Sequence, residues 1–384
     1  MVRLHSMDAL RAIAMFLGVL LHAMMSYQHE PRIEWPQDLD YNSIIFDIIY
    51  NWIHAFRMPL FFLVAGFFAR FLYYRIGYKK FIKHRYNRII IPFIFSLIII
   101  IPFSVFPFQY YLVHQKGLSF IDTIQLALTQ TFRWNGLLHL WFLYYLIIMY
   151  SLMILIIRFA KKLNLTRYQK FQFTYRPISL LAASTFLGLI FYFFYDIKVE
   201  PWGGVSIKLG QVLFYGLFFF LGYTMQRNVN TLQSGSRFMW IYLTIGLLLQ
   251  IPLYLLKVEY YTNEEAYLII KLSHNMLHAF QVFLLTFGML ALFTKLFHKE
   301  NKAIRYFSDA SYWIYLIHFP IVISVQIWLM ESMVPGYLRF YIVLLITTVF
   351  SFFTYHYLVR FTIIGNYLHG SRHKELTMHT TADT

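Results

Sequence analysis

Long apolar runs separated by short polar stretches dominate this chain from end to end. Ten of them approach or exceed the ~20 residues that cross a bilayer as a helix. They lie near 8–27, 52–74, 89–113, 137–159, 178–195, 207–226, 238–256, 267–297, 312–333 and 339–359. The pattern predicts an all-α integral membrane protein of about ten transmembrane helices. Pro92, Pro102 and Pro107 fall in the third run and predict a kinked or split helix there. The run at 267–297 is overlong and carries Lys271 early, so its outer end is expected to be tilted or amphipathic. Gly66, beside Ala65, offers a small surface that another helix can approach closely. The two halves of the chain do not echo each other, and no loop is long enough for a soluble domain.

Composition agrees with this reading. Hydrophobic residues make up 59% of the 384, and the mean hydropathy is +0.55, which excludes an ordinary soluble domain. Cysteine is absent, so disulfides, a thiolate nucleophile and Cys-based metal sites are excluded. A net charge of +16 would point to nucleic acid in a soluble chain. Here the basic residues sit in short loops between apolar runs, where they determine topology. Loops 70–88 and 158–176, with 227–237, 295–305 and both ends of the chain, collect most of the 33 Lys and Arg on one side. That side is expected to be cytoplasmic, with both termini. Loop 28–44, with Glu30, Glu34, Asp38 and Asp40, then faces outward. The first run carries Asp8 and Arg11 and no small-residue cleavage pattern, so it is expected to stay as the first span. Residues 1–360 read as one polytopic domain, and 361–384 as a polar cytoplasmic tail expected to be disordered.

With the orientation set, the polar residues inside the spans sort into two layers. His22, His54, Arg57, His139, His274 and His278 fall near the outer ends. Asp8, Arg11, Arg85, Arg88, Tyr315 and His318 fall near the inner ends. Arg11 and His22 are eleven residues apart, close to three helical turns, so they share one stripe about 16 Å long. Charged and titratable groups inside a span are costly and mark a functional interior. Each also has a plainer reading. Asp8 and Arg11 are spaced to neutralise each other, and Arg85 and Arg88 fit simple anchoring on the basic side. Arg57 can snorkel to headgroups, His139 with Trp141 can belong to an interfacial belt, and His318-Phe319-Pro320 can be a kinked helix with a buried polar group. His274 and His278 have metal-compatible spacing, but no third ligand is specified, so neither a metal nor a tightly bound cofactor is expected.

Taken in order, five segments resemble the membrane-bound acyltransferase family type 3, the multi-span O-acyltransferases. They are Asp8-Ala9-Leu10-Arg11 followed by His22, the HAFRMPLFFLVAGFF segment at 54–68, Arg85-Tyr86-Asn87-Arg88, His139-Leu140-Trp141-Phe142-Leu143, and the SYWIYLIHFP segment at 311–320. The stretch around IHAFRMPLFF resembles most the branch that succinylates periplasmic glucans. The resemblance implies that His22 is the catalytic histidine, with Arg11 and Asp8 beside it in the first-span motif. It implies that Arg85 and Arg88, with Tyr315 and His318, handle a donor, and that the donor is cytoplasmic acyl-CoA. The acceptor would be a hydroxyl of an extracytoplasmic glycan or a lipid-linked saccharide. The family's Ser-Gly on the second span is Ala65-Gly66 here, which removes any role for that hydroxyl.

Transfer from a thioester to an alcohol needs a positioned base, a role suited to a neutral imidazole. His22 is expected to serve as that base, with an acyl-histidine intermediate as a variant. His54, Arg57, His139 and Trp141 are expected on the acceptor or oxyanion side. The expected setting is the bacterial inner membrane, and the acyl group is succinyl or acetyl. The competing class is a transporter or flippase of an anionic lipid or glycan intermediate, which a basic mouth and a polar interior would also serve.

Overall fold

The computed structural model describes residues 5–30, 35–163, 177–227, 235–263, 265–297 and 299–370. Basic residues Arg167, Lys170 and Arg176 of the expected cytoplasmic loop, together with Glu34 and residues 371–384, lie outside that set. Among the described residues the fold is helical throughout, with one isolated bridge between Gln28 and Ser43.

All ten apolar runs are helical, but they do not make ten separate spans of equal standing. Among the described residues, seven helices are long and apolar enough to cross a membrane. The second and third runs lie in one continuous 71-residue helical stretch, Ile44–His114. It turns at Gly77, whose φ of 76° is a left-handed conformation that glycine adopts without steric cost. The fifth and sixth runs are the shorter helices Ile178–Phe194 and Leu209–Met225. At 17 residues the second of these is about 26 Å long, just under the ~30 Å hydrocarbon thickness. A further helix, Phe120–Phe132, occupies what the apolar pattern leaves as loop, capped by the Ser119 side chain. Of the tail expected to be disordered, residues Ile363–Leu368 form a short helix.

Of the third run's prolines, Pro92 and Pro102 disturb the helix as expected, whereas Pro107 lies within the unbroken helix Ile101–His114. Two widened helical turns, Tyr86–Ile90 and Ser96–Ile100, come immediately before the helical segments that begin with Pro92 and Pro102 near their first residue. Proline has no N–H and its ring crowds the carbonyl four residues back, so the turn opens by one residue.

Gly66 packs as its size suggests, and it has a reciprocal partner. A Cβ on Gly66 would lie 1.9 Å from the Phe219 carbonyl oxygen, and one on Gly222 would lie 1.8 Å from the Leu63 carbonyl oxygen. The two helices therefore meet backbone to backbone, and Phe62 stacks on Tyr215 with centroids 4.7 Å apart across the same seam.

The pairing that positions the site is between the first helix, His5–Met24, and the late helix, Lys302–Met330. Arg11 meets Ser308, His22 meets His318, and the carbonyls of His22 and Ala23 meet Gln326. The order of these contacts shows that the two helices run parallel. The segment after the first helix is fastened by Arg339, whose guanidinium donates to both oxygens of Asp38 at 3.0 and 2.9 Å and to Asp40 at 3.2 Å. Arg339 and Asp38 are both buried, and Nη1 alone reaches both Asp38 oxygens while Nη2 serves Asp40.

Candidate acyl-transfer site

His22 lies at the end of the first helix, one residue pair before the chain tightens into the turn Met25–Tyr27. That change of winding leaves the carbonyls of His22 and Ala23 short of helical partners, and the Gln326 amide donates to both, at 3.2 and 3.0 Å. The same Gln326, fully buried, accepts from Trp35 Nε1 at 3.2 Å. Trp35 in turn stacks on the His22 ring, with centroids 6.0 Å apart and planes 23° from parallel. His22 Nδ1 donates to the Met25 sulfur at 3.3 Å, which leaves Nε2 as the nitrogen with the lone pair in the neutral ring.

A small cavity of about 70 Å³ gathers His22, His54, Arg57, His139, Trp141, Tyr315 and His318 with Gly18 and Tyr50. The rings of His22 and His318 are 5.3 Å apart, and those of His139 and His318 are 5.5 Å apart. His318 Nδ1 donates to the Tyr315 carbonyl at 2.8 Å, so Nε2 carries its lone pair, and that atom is buried with no partner. His139 Nε2 donates to the Leu316 carbonyl at 3.1 Å, and its Nδ1 is likewise buried and unpartnered. Tyr315 donates from its hydroxyl to the His139 carbonyl at 2.7 Å. Arg57 lines the same space with its Nε enclosed and unpartnered. Its guanidinium rests where Gly18 has no side chain: a Cβ there would lie 2.4 Å from Nη1. Arg57 is therefore a lining residue of the cavity rather than a headgroup contact, and His139, 5% exposed, is not an interfacial belt residue.

The comparison with family models then decides the class. The model described as an acyltransferase domain matches residues 4–356. The chain belongs to that acyltransferase family. Relatives include the glucans biosynthesis protein C of Escherichia coli O81 (strain ED1a), 26% identical over 363 residues, 88% of this chain and 87% of the relative. The protein of the same name from Escherichia coli K12 is also 26% identical over 363 residues, with the same coverage. The one from Shigella dysenteriae serotype 1 (strain Sd197) is 25% identical over 359 residues, again 88% of this chain and 87% of the relative. No solved structure matches.

Within this acyltransferase chain the remaining motif residues do not join the cavity. Arg11 is paired with Asp8 at 3.2 Å, as their spacing allows, and also donates to Ser308 at 3.3 Å. Arg85 donates to the Tyr150 hydroxyl at 3.3 Å and lies over that ring. Tyr150 is within electrostatic reach of both Arg85 and Arg11. Arg88 donates to the Tyr367 carbonyl at 3.4 Å, and its own carbonyl accepts from Tyr312. Arg11, Arg85 and Arg88 line neither the His22 cavity nor the larger one beside it. Between these arginines and the His22 cavity stands a packed ladder on the late helix. Ser308 meets Arg11, Tyr312 meets Arg88, and Tyr315 stacks above Tyr312 at 6.3 Å.

Tyr315 and His318, expected in the inner layer with the arginines, stand instead in the histidine cluster. The helix to which they belong begins further back than the apolar run suggests, at Lys302 rather than near 312, which carries position 318 deeper. Tyr50, Trp35, Gln326 and Gly18 were missed in the sequence. Tyr50 is four residues before His54 and stacks on it at 5.4 Å, so helical spacing contained that signal. Trp35 reaches His22 from a loop, which no periodicity encodes.

Beside the small cavity lies a second of about 1240 Å³, lined from the helices at 44–54, 104–112 and 247–257, the segment 197–200, and His274, His278 and Gln281. Tyr50 and His54 line both. Among the described residues His274 and His278 do not sit with a third ligand; His278 Nδ1 is within hydrogen-bond range of Gln281 Oε1 at 3.3 Å.

Proposed function

We propose that this chain is an O-acyltransferase that moves a succinyl or acetyl group from cytoplasmic acyl-CoA to a hydroxyl of an extracytoplasmic glucan. Its setting would be the bacterial inner membrane. The observation that carries this reading is the placement of His22 in an acyltransferase-family chain, in a cavity shared with Arg57, His139, Tyr315 and His318. The relatives' name supplies the acceptor class.

In this reading the acceptor oxygen attacks the thioester carbonyl while His22 Nε2 takes the hydroxyl proton. The carbon–oxygen bond forms, the carbon–sulfur bond breaks, and the CoA thiolate leaves and is protonated from the imidazolium. Arg57, a cation without a carboxylate partner among the described residues, stabilises the carbonyl oxygen as it gains charge. His54 and His139 flank the acceptor side, and Trp141 packs the wall behind them. Arg11, Arg85 and Arg88 hold the phosphates of the donor, a task suited to guanidinium. The donor arm then reaches outward along the ladder of Ser308, Tyr312 and Tyr315, which has to part to admit it. Both termini lie in the cytoplasm on the basic-loop criterion.

The test is chemical. Purified protein given acyl-CoA and a glucan should release free CoA only when the glucan is present, and the glucan should gain one ester mass. Transport of glucan across a vesicle membrane without CoA release would replace this reading with the carrier.

A further inference from the structure

The small cavity leaves a problem of space. About 70 Å³ is room for a few water molecules, enough for a hydroxyl and an acyl carbonyl but not for a sugar ring. The acceptor's body must therefore sit elsewhere, and the larger cavity shares Tyr50 and His54 with the small one. The larger cavity, about 1240 Å³, exceeds the ~300–1,000 Å³ of an ordinary small-molecule pocket.

Its lining selects among ligand classes. Trp52 and Trp134 both line it, and both indole N–H groups are already bonded to backbone carbonyls, Leu247 at 3.2 Å and Gly136 at 2.9 Å. Those bonds fix the rings and leave their faces as the contact surface. Tyr254 adds a third ring, and the Asn51 and Gln109 amides add donors and acceptors. Flat apolar faces with interspersed amides suit the C–H faces and hydroxyl edges of pyranose rings. The charged residues of the lining are Glu30, Asp47, Lys198, Glu200 and Lys257. Glu30 is salt-bridged to Lys257 and has Lys198 at 4.0 Å. Asp47 accepts from the backbone N–H of His29 at 2.8 Å and of Glu30 at 3.5 Å. Among the described residues no arginine lines this cavity, and its two lysines, Lys198 and Lys257, both face the Glu30 carboxylate rather than standing as a free phosphate clamp.

We infer that the large cavity is a binding site for several consecutive sugars of a neutral glycan chain, with one hydroxyl passed between Tyr50 and His54 to His22. A saccharide carried on a phosphate or pyrophosphate would not be its ligand. This inference rests on the proposed acyl transfer and specifies its acceptor.

The experiment uses the full chain in detergent or vesicles with glucose, a disaccharide and a hexasaccharide of glucose as acceptors. The expected result is a kcat/KM that rises with chain length. In W52A and W134A the ratio of long to short acceptor should collapse, by about three- to tenfold per ring, the range one aromatic contact supplies. Binding of the hexasaccharide is followed separately by tryptophan fluorescence in H22A, so that affinity is read without turnover. A hexasaccharide that binds H22A no better than glucose does, or a phosphoglycan that outcompetes it, overturns the inference. Binding that depends on length without any acyl transfer by the unmodified protein would instead sink the proposed reaction and leave the glycan site standing.

Discussion

His139 and Leu316 are joined by a hydrogen bond that exists because of a proline four residues further on. The His139 Nε2–H donates to the Leu316 carbonyl at 3.1 Å. In an unbroken helix that carbonyl would accept from residue 320, but residue 320 is proline and has no N–H. The helix runs on through Pro320, and the carbonyl that the proline leaves without a helical donor is thus the device that holds His139 beside His318 and fixes its tautomer.

Replacing that proline tests the device. Pro320→Ala supplies an N–H that competes with His139 for the Leu316 carbonyl. The expected outcome is a kcat lowered about ten- to hundredfold, the scale of small misplacements in a reacting site, with the protein still folded by thermal melting. Unchanged kcat would separate His139 from the chemistry.

Gln326 holds the end of the helix that bears His22 and the ring that stacks on it. Gln326→Leu keeps the volume and removes all three hydrogen bonds. Trp35→Phe removes the indole donor but keeps a stacked ring. Each should lower kcat with little change in the KM of either substrate, and the double variant should lose less than the two single losses combined. Full additivity would mean that the two residues act independently.

The seam between Gly66 and Gly222 should tolerate no methyl group. Gly222→Ala places a Cβ against the Leu63 backbone, which has no rotamer through which to yield. A loss of about 1–3 kcal/mol is expected, visible as a lower melting temperature in detergent. Gly66→Ala should behave alike. A melting temperature equal to that of the parent would show that the helices sit further apart.

Arg88 distinguishes donor handling from anchoring. Arg88→Ala should raise the KM for acyl-CoA about tenfold or more, since a guanidinium–phosphate contact is lost, and leave the acceptor KM alone. An unaltered acyl-CoA KM, with normal insertion, would reduce Arg88 to an anchor for the basic side and for the Tyr367 carbonyl it holds.

Much of the frame was legible in sequence because its cause is local. Apolar runs, Pro92 and Pro102, and Gly66 act within a turn or two of themselves, so their outcomes follow from spacing. The helical nature of all ten runs and the wide turns before the prolines belong here. The gathering of His22, His54, Arg57, His139 and Trp141 was anticipated by depth along the spans. Depth alone failed for Tyr315 and His318, because a helix that starts ten residues early shifts everything on it. It also gave no sign that the arginines would be packed away from the cavity by tyrosines of the late helix. Trp35 and Gln326 were invisible for another reason: their roles depend on contacts between segments about 290 residues apart.

The central claim is that the His22 imidazole takes the acceptor proton. Its most direct measurement is single-turnover ester formation by H22A and H22Q, beside tritiated acyl-CoA binding to the same preparations. The account predicts that both variants bind acyl-CoA as the parent does and form no ester. Ester formed by either variant at a rate near that of the parent would contradict it.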